Sequence, residues 1–169
     1  MIPRTLLQKK GKIGYDGNKK VKGIKISTLT DKNGLPLSIF ISPANIHDSK
    51  LYLPTISKVK IKLPLGAPIT RPKLVNADAA YDSTDIREYN RKRGIKSNIP
   101  VNRRNRKKKK IGRPKKLDKD IYKGRSAVER FFSWIEAYKK ILPRYERLEY
   151  SYLGLVTLSS IMMLWRVLG

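Results

Sequence analysis

Tyr122, Arg125 and Glu129 follow one another at offsets of three and four residues, and Asp78 stands well upstream in the phrase Asn76-Ala77-Asp78-Ala79-Ala80-Tyr81-Asp82. On a helix such offsets put a phenol, a planar cation and a carboxylate on one face. That set suits a phosphodiester and its divalent metal. The carboxylate would bind the metal, and the guanidinium and phenol would bind phosphate oxygens. By spacing alone the plainer reading is a surface ion pair on an ordinary helix. Charge shifts the balance. The chain carries 39 Lys and Arg against 13 acids, a net charge of +26 in 169 residues. That excess implies a polyanionic partner, with nucleic acid the default and an anionic membrane surface the competitor. Asp78 at a strand end and Glu129 on a helix could clamp one magnesium ion. A third carboxylate would complete a two-metal site able to activate a water or a 3′-hydroxyl.

The composition narrows the chemistry further. There is no cysteine, which removes disulfides, thiolate zinc sites and thiol catalysis. The single histidine, His47, cannot build a multi-histidine metal site. Any metal is therefore held by carboxylates, which favours Mg2+ or Mn2+. Hydrophobic residues make up 40% of the chain, enough for a packed core in one domain. Met1 to Lys12 is basic, with no apolar signal region. Tyr152 to Leu168 is the most apolar stretch, but it is short for a membrane span and holds Arg166, so it reads as a buried helix. The expected location is cytoplasmic and nucleoid-associated, with no membrane.

These residues need elements to position them. Val21 to Thr30 is β-branched and partly alternating, Asp31-Lys32-Asn33-Gly34 is a turn, and Leu35 to Ile41 is β-prone, which together predict a hairpin. Asp48 to Lys58 predicts a helix with Asp48 or Ser49 near its cap, followed by a Pro-rich loop over 59–72. Lys73 to Ala77 reads as a short buried strand ending in Asp78. A helix capped by Ser83 or Thr84 follows to about Lys92, ended by Gly94, and then a strand from Ile95 to Ile99. Strand, helix and strand with short links predict a parallel β-α-β unit. Residues 101–120 predict a solvated loop, in which Arg103 to Lys116 hold ten cations among fourteen residues and no acid. Ile121 to Ile141 predicts the motif helix, with Val128, Phe131, Phe132 and Ile135 as its core stripe, ended by Pro143. Tyr150 to Leu168 predicts a second, more buried helix.

The ordered phrases resemble a known family. They are Gly14-Tyr15-Asp16-Gly17, Lys22-Gly23-Ile24-Lys25, Asn33-Gly34-Leu35-Pro36-Leu37 and Ala44-Asn45-Ile46-His47-Asp48-Ser49. Ala77-Asp78-Ala79-Ala80-Tyr81-Asp82 and Tyr122-Lys123-Gly124-Arg125-Ser126-Ala127-Val128-Glu129-Arg130-Phe131 complete the set. Across nearly the whole chain this is similar to the C-terminal catalytic portion of prokaryotic insertion-sequence transposases of the DDE type, those with the Y-x2-R-x3-E signature. The resemblance implies an α/β, ribonuclease-H-like fold with a mixed sheet flanked by helices. It implies cutting and transfer of DNA strands at transposon ends with magnesium ions. By resemblance Asp78 is the second catalytic acid and Glu129 the third, and both are metal ligands. Tyr122 and Arg125 would contact DNA phosphates near the transposon end. Arg103, Arg104, Arg106, Lys107, Lys108, Lys109, Lys110, Arg113, Lys115 and Lys116 form the basic DNA-binding run.

Two departures from the family pattern bear on activity. Where the family has its first catalytic aspartate, in a phrase like Asp-Ser-Thr-Leu, this chain reads Pro3-Arg4-Thr5-Leu6. The central strand that would carry that aspartate is expected to be missing too. Where the signature extends to a lysine seven residues after the glutamate, Glu136 stands, and Lys139 or Lys140 would take over the DNA contact. Residues 1–169 are thus expected to be a partial catalytic domain that is inactive alone, completed by a homodimer or by a partner polypeptide supplying the first aspartate. The competing reading is a catalytically inactive DNA-binding remnant or an inhibitor of transposition. A basic protein of another kind, such as a ribosomal protein, would explain the charge but not the acid-bearing phrases.

Overall fold

The computed structural model describes residues 13–17, 20–102, 116–138, 141, 146 and 148–169. They form a mixed α/β arrangement with two small sheets. Strands β1 (Gly14–Asp16), β2 (Val21–Thr30) and β3 (Pro36–Pro43) make an antiparallel three-stranded sheet. Strands β4 (Leu74–Asn76) and β5 (Lys96–Asn98) form a parallel pair with Leu74 opposite Lys96, and helix α2 (Thr84–Lys92) crosses between them. Among the described residues no strand pairing joins the two sheets. The predicted hairpin and the predicted β-α-β unit are both present.

The hairpin is fixed by its turn. Asp31 accepts from the backbone N–H groups of Asn33 at 2.9 Å and Leu35 at 2.7 Å, and Gly34 takes φ +91°, a value that suits a residue without Cβ. Along β2 the side chains alternate between two environments. Ile24 and Ile26 face one apolar cluster together with Ile39 and Ile41 of β3. Ser27 meets Thr55 of helix α1 (Asp48–Ile56) at 2.7 Å, Lys25 meets Asp48 at 2.8 Å, and Leu29 packs into a second cluster. The imperfect alternation of the β2 sequence has its cause here: both faces of this sheet are covered, so neither face needs to be polar throughout.

The first cluster holds Leu35, Ile41, Phe131, Ile135, Ile141, Tyr152, Val156 and Met163, with Phe131 and Val156 fully buried. It is closed by helices α4 (Ala127–Glu136) and α5 (Glu149–Leu168). The second holds Tyr52, Ile56, Val75, Ile86, Ile95 and Ile99, from α1, α2 and the neighbourhood of the parallel pair. Inside it Tyr52 donates to Asn90 at 2.8 Å, and Asn90 in turn donates to Ser97 at 2.9 Å, so the buried polar atoms are partnered.

Three predicted elements differ in detail. Helix α1 is capped by His47, whose Nδ1 accepts from the Ser49 N–H at 3.2 Å, and the helix itself begins at Asp48. An imidazole one residue upstream can accept that N–H as well as a Ser or Asp can. The single motif helix is instead three pieces: α3 (Lys119–Lys123), a 3-10 turn over Gly124–Ser126, and α4. Gly124 lies at the break, where a weak helix former lets the chain tighten. Helix α5 is less buried than its composition predicts. Tyr152, Val156, Ser159, Ser160 and Met163 are inside, while Leu158, Ile161, Met162, Trp165 and Leu168 lie on the exposed side. Among the described residues α5 is the one helix long and apolar enough to cross a bilayer by length and composition, and its inner face is packed on the first cluster. Pro143 lies outside the described residues.

Candidate active site

Asp78 lies two residues past the end of β4, at the N-cap of a 3-10 turn over Ala79–Tyr81. Side chains at such a strand end project beyond the sheet, where α/β folds place their ligands. Two asparagines bring the motif segment to that edge. Asn98 at the end of β5 is 3% exposed; its carbonyl accepts from the Asp118 N–H at 2.9 Å and its amide donates to the Asp118 carbonyl at 3.0 Å. Asn76 at the end of β4 accepts from Asn98 at 3.2 Å and donates to the Ile121 carbonyl at 2.8 Å. Asp118 then caps α3 by accepting from the Ile121 N–H at 3.1 Å. The chain therefore re-enters from the basic run fastened at residues 118–121, one residue before Tyr122.

From there the four chemically able side chains converge. The Tyr122 hydroxyl donates to Asp78 Oδ1 at 3.2 Å. Arg125 Nη1 lies 3.0 Å from both Asp78 oxygens, and its Nη2 lies 3.3 Å from Glu129 Oε1. One guanidinium thus joins a carboxylate at a strand end to a carboxylate in the first turn of α4. The Arg125 guanidinium also lies 6.0 Å from the Tyr122 ring centre. These charged groups are all reachable from solvent: Asp78 is 48% exposed, Glu129 61% and Arg125 37%. The Tyr122 phenol is pushed above its ordinary value by partial burial, with the nearby Asp78 charge and hydrogen bond adding to it. Half-buried Tyr81, on the turn that starts at Asp78, is pushed up to about 12 by burial and by the Asp48 and Asp78 charges.

Asp82, the other acid of the same phrase, has a structural task. Its side chain is 2% exposed, pairs with Arg87 at 2.7 Å and accepts from the Asn102 N–H at 2.9 Å. Among the described residues no three His, Asp or Glu side chains gather to hold a metal ion. What is present is a pair of hard oxygen donors, Asp78 and Glu129, converging on one positive group. Two such oxygen donors are of the kind that could hold a hard divalent cation.

A family model described as the transposase DDE domain matches residues 2–164. The chain belongs to the insertion-sequence DDE transposases. A candidate transposase of insertion sequence element IS402 from Burkholderia cepacia is 31% identical over 147 residues, which cover 86% of this chain and 64% of that protein. The chain thus spans less than two thirds of the length of the curated relative it matches. No solved structure matches the chain. Divalent metal and DNA binding are general features of this transposase family.

Of the residues singled out in the transposase sequence, the structure brings together Tyr122, Arg125, Glu129 and Asp78. Lys116 is exposed just ahead of the fastened segment. Arg103, Arg104, Arg106, Lys107, Lys108, Lys109, Lys110, Arg113, Lys115, Lys139 and Lys140 lie outside the described residues, as does the Pro3-Arg4-Thr5-Leu6 phrase. The residues that sequence reasoning missed are Asn76 and Asn98. The one signal was weak: an amide at the end of each predicted buried strand needs partners, but nothing in the sequence says which.

Proposed function

We propose that this chain is the C-terminal part of a transposase catalytic domain that cleaves and joins DNA strands at insertion-sequence ends, incomplete without an upstream polypeptide. The observation that carries the reading is the convergence of Asp78, Glu129, Arg125 and Tyr122 at the end of β4. The fold we assign is ribonuclease-H-like, lacking its first, central strand. The antiparallel sheet, the parallel β-α-β pair and the flanking helices of the described residues support that assignment.

In this reading Asp78 and Glu129 hold Mg2+ or Mn2+, and a bound ion would stabilise charge on the attacked phosphodiester. Tyr122 and Arg125 bind non-bridging phosphate oxygens, with the guanidinium offering paired donors. The basic run over residues 103–116 binds flanking phosphates without reading sequence. The first catalytic aspartate comes from outside, because the Pro3-Arg4-Thr5-Leu6 phrase offers a cation where the two-metal arrangement needs an anion. A separately encoded upstream segment would supply it, with a homodimer as the candidate assembly, in a cytoplasmic, nucleoid-associated setting.

The test is nicking of a duplex carrying the element's end. The purified chain is assayed in Mg2+, alone and with an upstream fragment that bears the aspartate. Cleavage is expected only in the mixture and is expected to vanish in Glu129→Ala. Cleavage by the lone chain, abolished by that substitution, would overturn the incompleteness. Binding without cleavage, alone or in the mixture, would favour the inactive DNA-binding remnant.

A further inference from the structure

A chain with 39 cations could neutralise its two site acids in many ways. Among the described residues the ion pairs of Asp78 and Glu129 are made with one group, the Arg125 guanidinium. The arrangement is economical in charge but demanding in geometry. Asp78 sits after β4 beside the second cluster, whereas Glu129 sits on α4 over the first. Two carboxylates brought together from separate elements repel each other. A single planar cation with Nη1 on one acid and Nη2 on the other removes that repulsion and fixes their spacing.

The same placement sets a condition on metal entry. Both oxygens of Asp78 already face Nη1 at 3.0 Å, and Oδ1 also accepts from Tyr122. A divalent ion ligated by these carboxylates would lie close to a fixed positive charge, at a separation where ionic repulsion is large even when solvent screens it. We infer that Arg125 is a resident cation that preassembles the acid pair and competes with the divalent metal for it, leaving the carboxylates when metal binds. This rests on the proposed acid site. It adds an exchange step, in which a flexible side chain freed from two carboxylates becomes available to an incoming phosphate. Metal and phosphodiester should then help each other bind, and by linkage the help is mutual.

Mn2+ affinity, read from the free-ion electron paramagnetic resonance signal, tests this without any catalytic turnover. Arg125→Gln is expected to bind Mn2+ about threefold to tenfold more tightly than wild type, the scale of half-exposed ion pairs that no longer have to be broken. Lys123→Gln removes a positive charge two residues away that is paired with Asp120 at 3.0 Å, and it should leave the affinity unchanged. Equal or weaker binding by Arg125→Gln, or the same gain in Lys123→Gln, would overturn the competition. A second measurement needs no variant at Arg125: Mg2+ titration should shift the Arg125 Nε–H resonance of the wild-type chain saturably, and not that of Glu129→Gln. An Arg125 resonance that stays put while Mg2+ saturates would also overturn it. The underlying site is judged separately. If Asp78→Asn and Glu129→Gln leave Mn2+ affinity untouched, the acid pair is not the metal site at all.

Discussion

Tyr52 and Tyr81 make the protein's response to alkali a matter of single residues. Burial raises both phenols from 10.0 to about 12, with the Asn90 hydrogen bond partly offsetting the rise at Tyr52. A tyrosine is neutral when protonated. Between pH 10 and about 12 the folded protein keeps these protons while the unfolded chain loses them, so stability falls as pH rises through that window. Each phenol contributes on the order of 2–3 kcal/mol, fully present below pH 10 and gone above 12. Urea midpoints measured at pH 9 and 11 should show the loss, and Tyr81→Phe should remove about half of it. Tyr52→Phe should cost about 1–3 kcal/mol even at neutral pH, because Asn90 is left without its donor. At this scale the sequence was informative in a particular way. Spacing offered Arg125 and Glu129 as an ion pair on one helical face, and only the resemblance of the ordered phrases added Asp78 to them. The asparagines that bring them together were not legible, since an amide carries no charge pattern and its partners lie 20 and 45 residues away.

At the level of elements, the turn between β2 and β3 acts at a distance. Gly34 stands so close to the start of α4 that a Cβ there would lie 2.8 Å from the Ala127 carbonyl oxygen, and Arg130 donates to the Asn33 carbonyl at 3.1 Å. The turn tip therefore sets how deep the first turn of α4, which bears Glu129, can sit. Gly34→Ala meets both a positive φ and that oxygen, and should destabilise by about 1–3 kcal/mol in urea unfolding. The hairpin, the parallel unit and the helix positions were readable from turn residues and apolar periodicity. The break of the motif helix at Gly124 was not, because one glycine lowers helix preference by only about 1 kcal/mol and tertiary fastening at Asn76 and Asn98 decided the outcome. The exposed side of α5 was missed for a related reason. Ser159 and Ser160 face inward while Leu158 and Ile161 face out, so hydropathy alone pointed the wrong way. Their hydroxyls bond back to the Leu155 and Val156 carbonyls at 2.9 and 2.7 Å, which lets them be buried.

Over the whole molecule, charge and architecture converge on one edge. The basic run leaves at Asn102, whose N–H is held by Asp82, and returns at Asp118, held by Asn98. The described residues that flank it, Asn102 and Asp118, are thus both held on the side of the domain that carries Asp78. Replacing the run's Lys and Arg by Ser should flatten the dependence of log affinity on log salt by about 0.9 for each duplex phosphate no longer neutralised, measured by fluorescence anisotropy. An unchanged slope would place DNA elsewhere. The two apolar clusters have a further consequence. One carries Asp78 and the other carries Glu129, and they lie on either side of the antiparallel sheet. The gap between the carboxylates is therefore also a measure of how one packed layer sits against the other. A partner that made the layers slip would detune the acid pair without touching it, and a ligand that tightened the pair would stiffen the whole domain, as a strain gauge and a clasp would if they were one part.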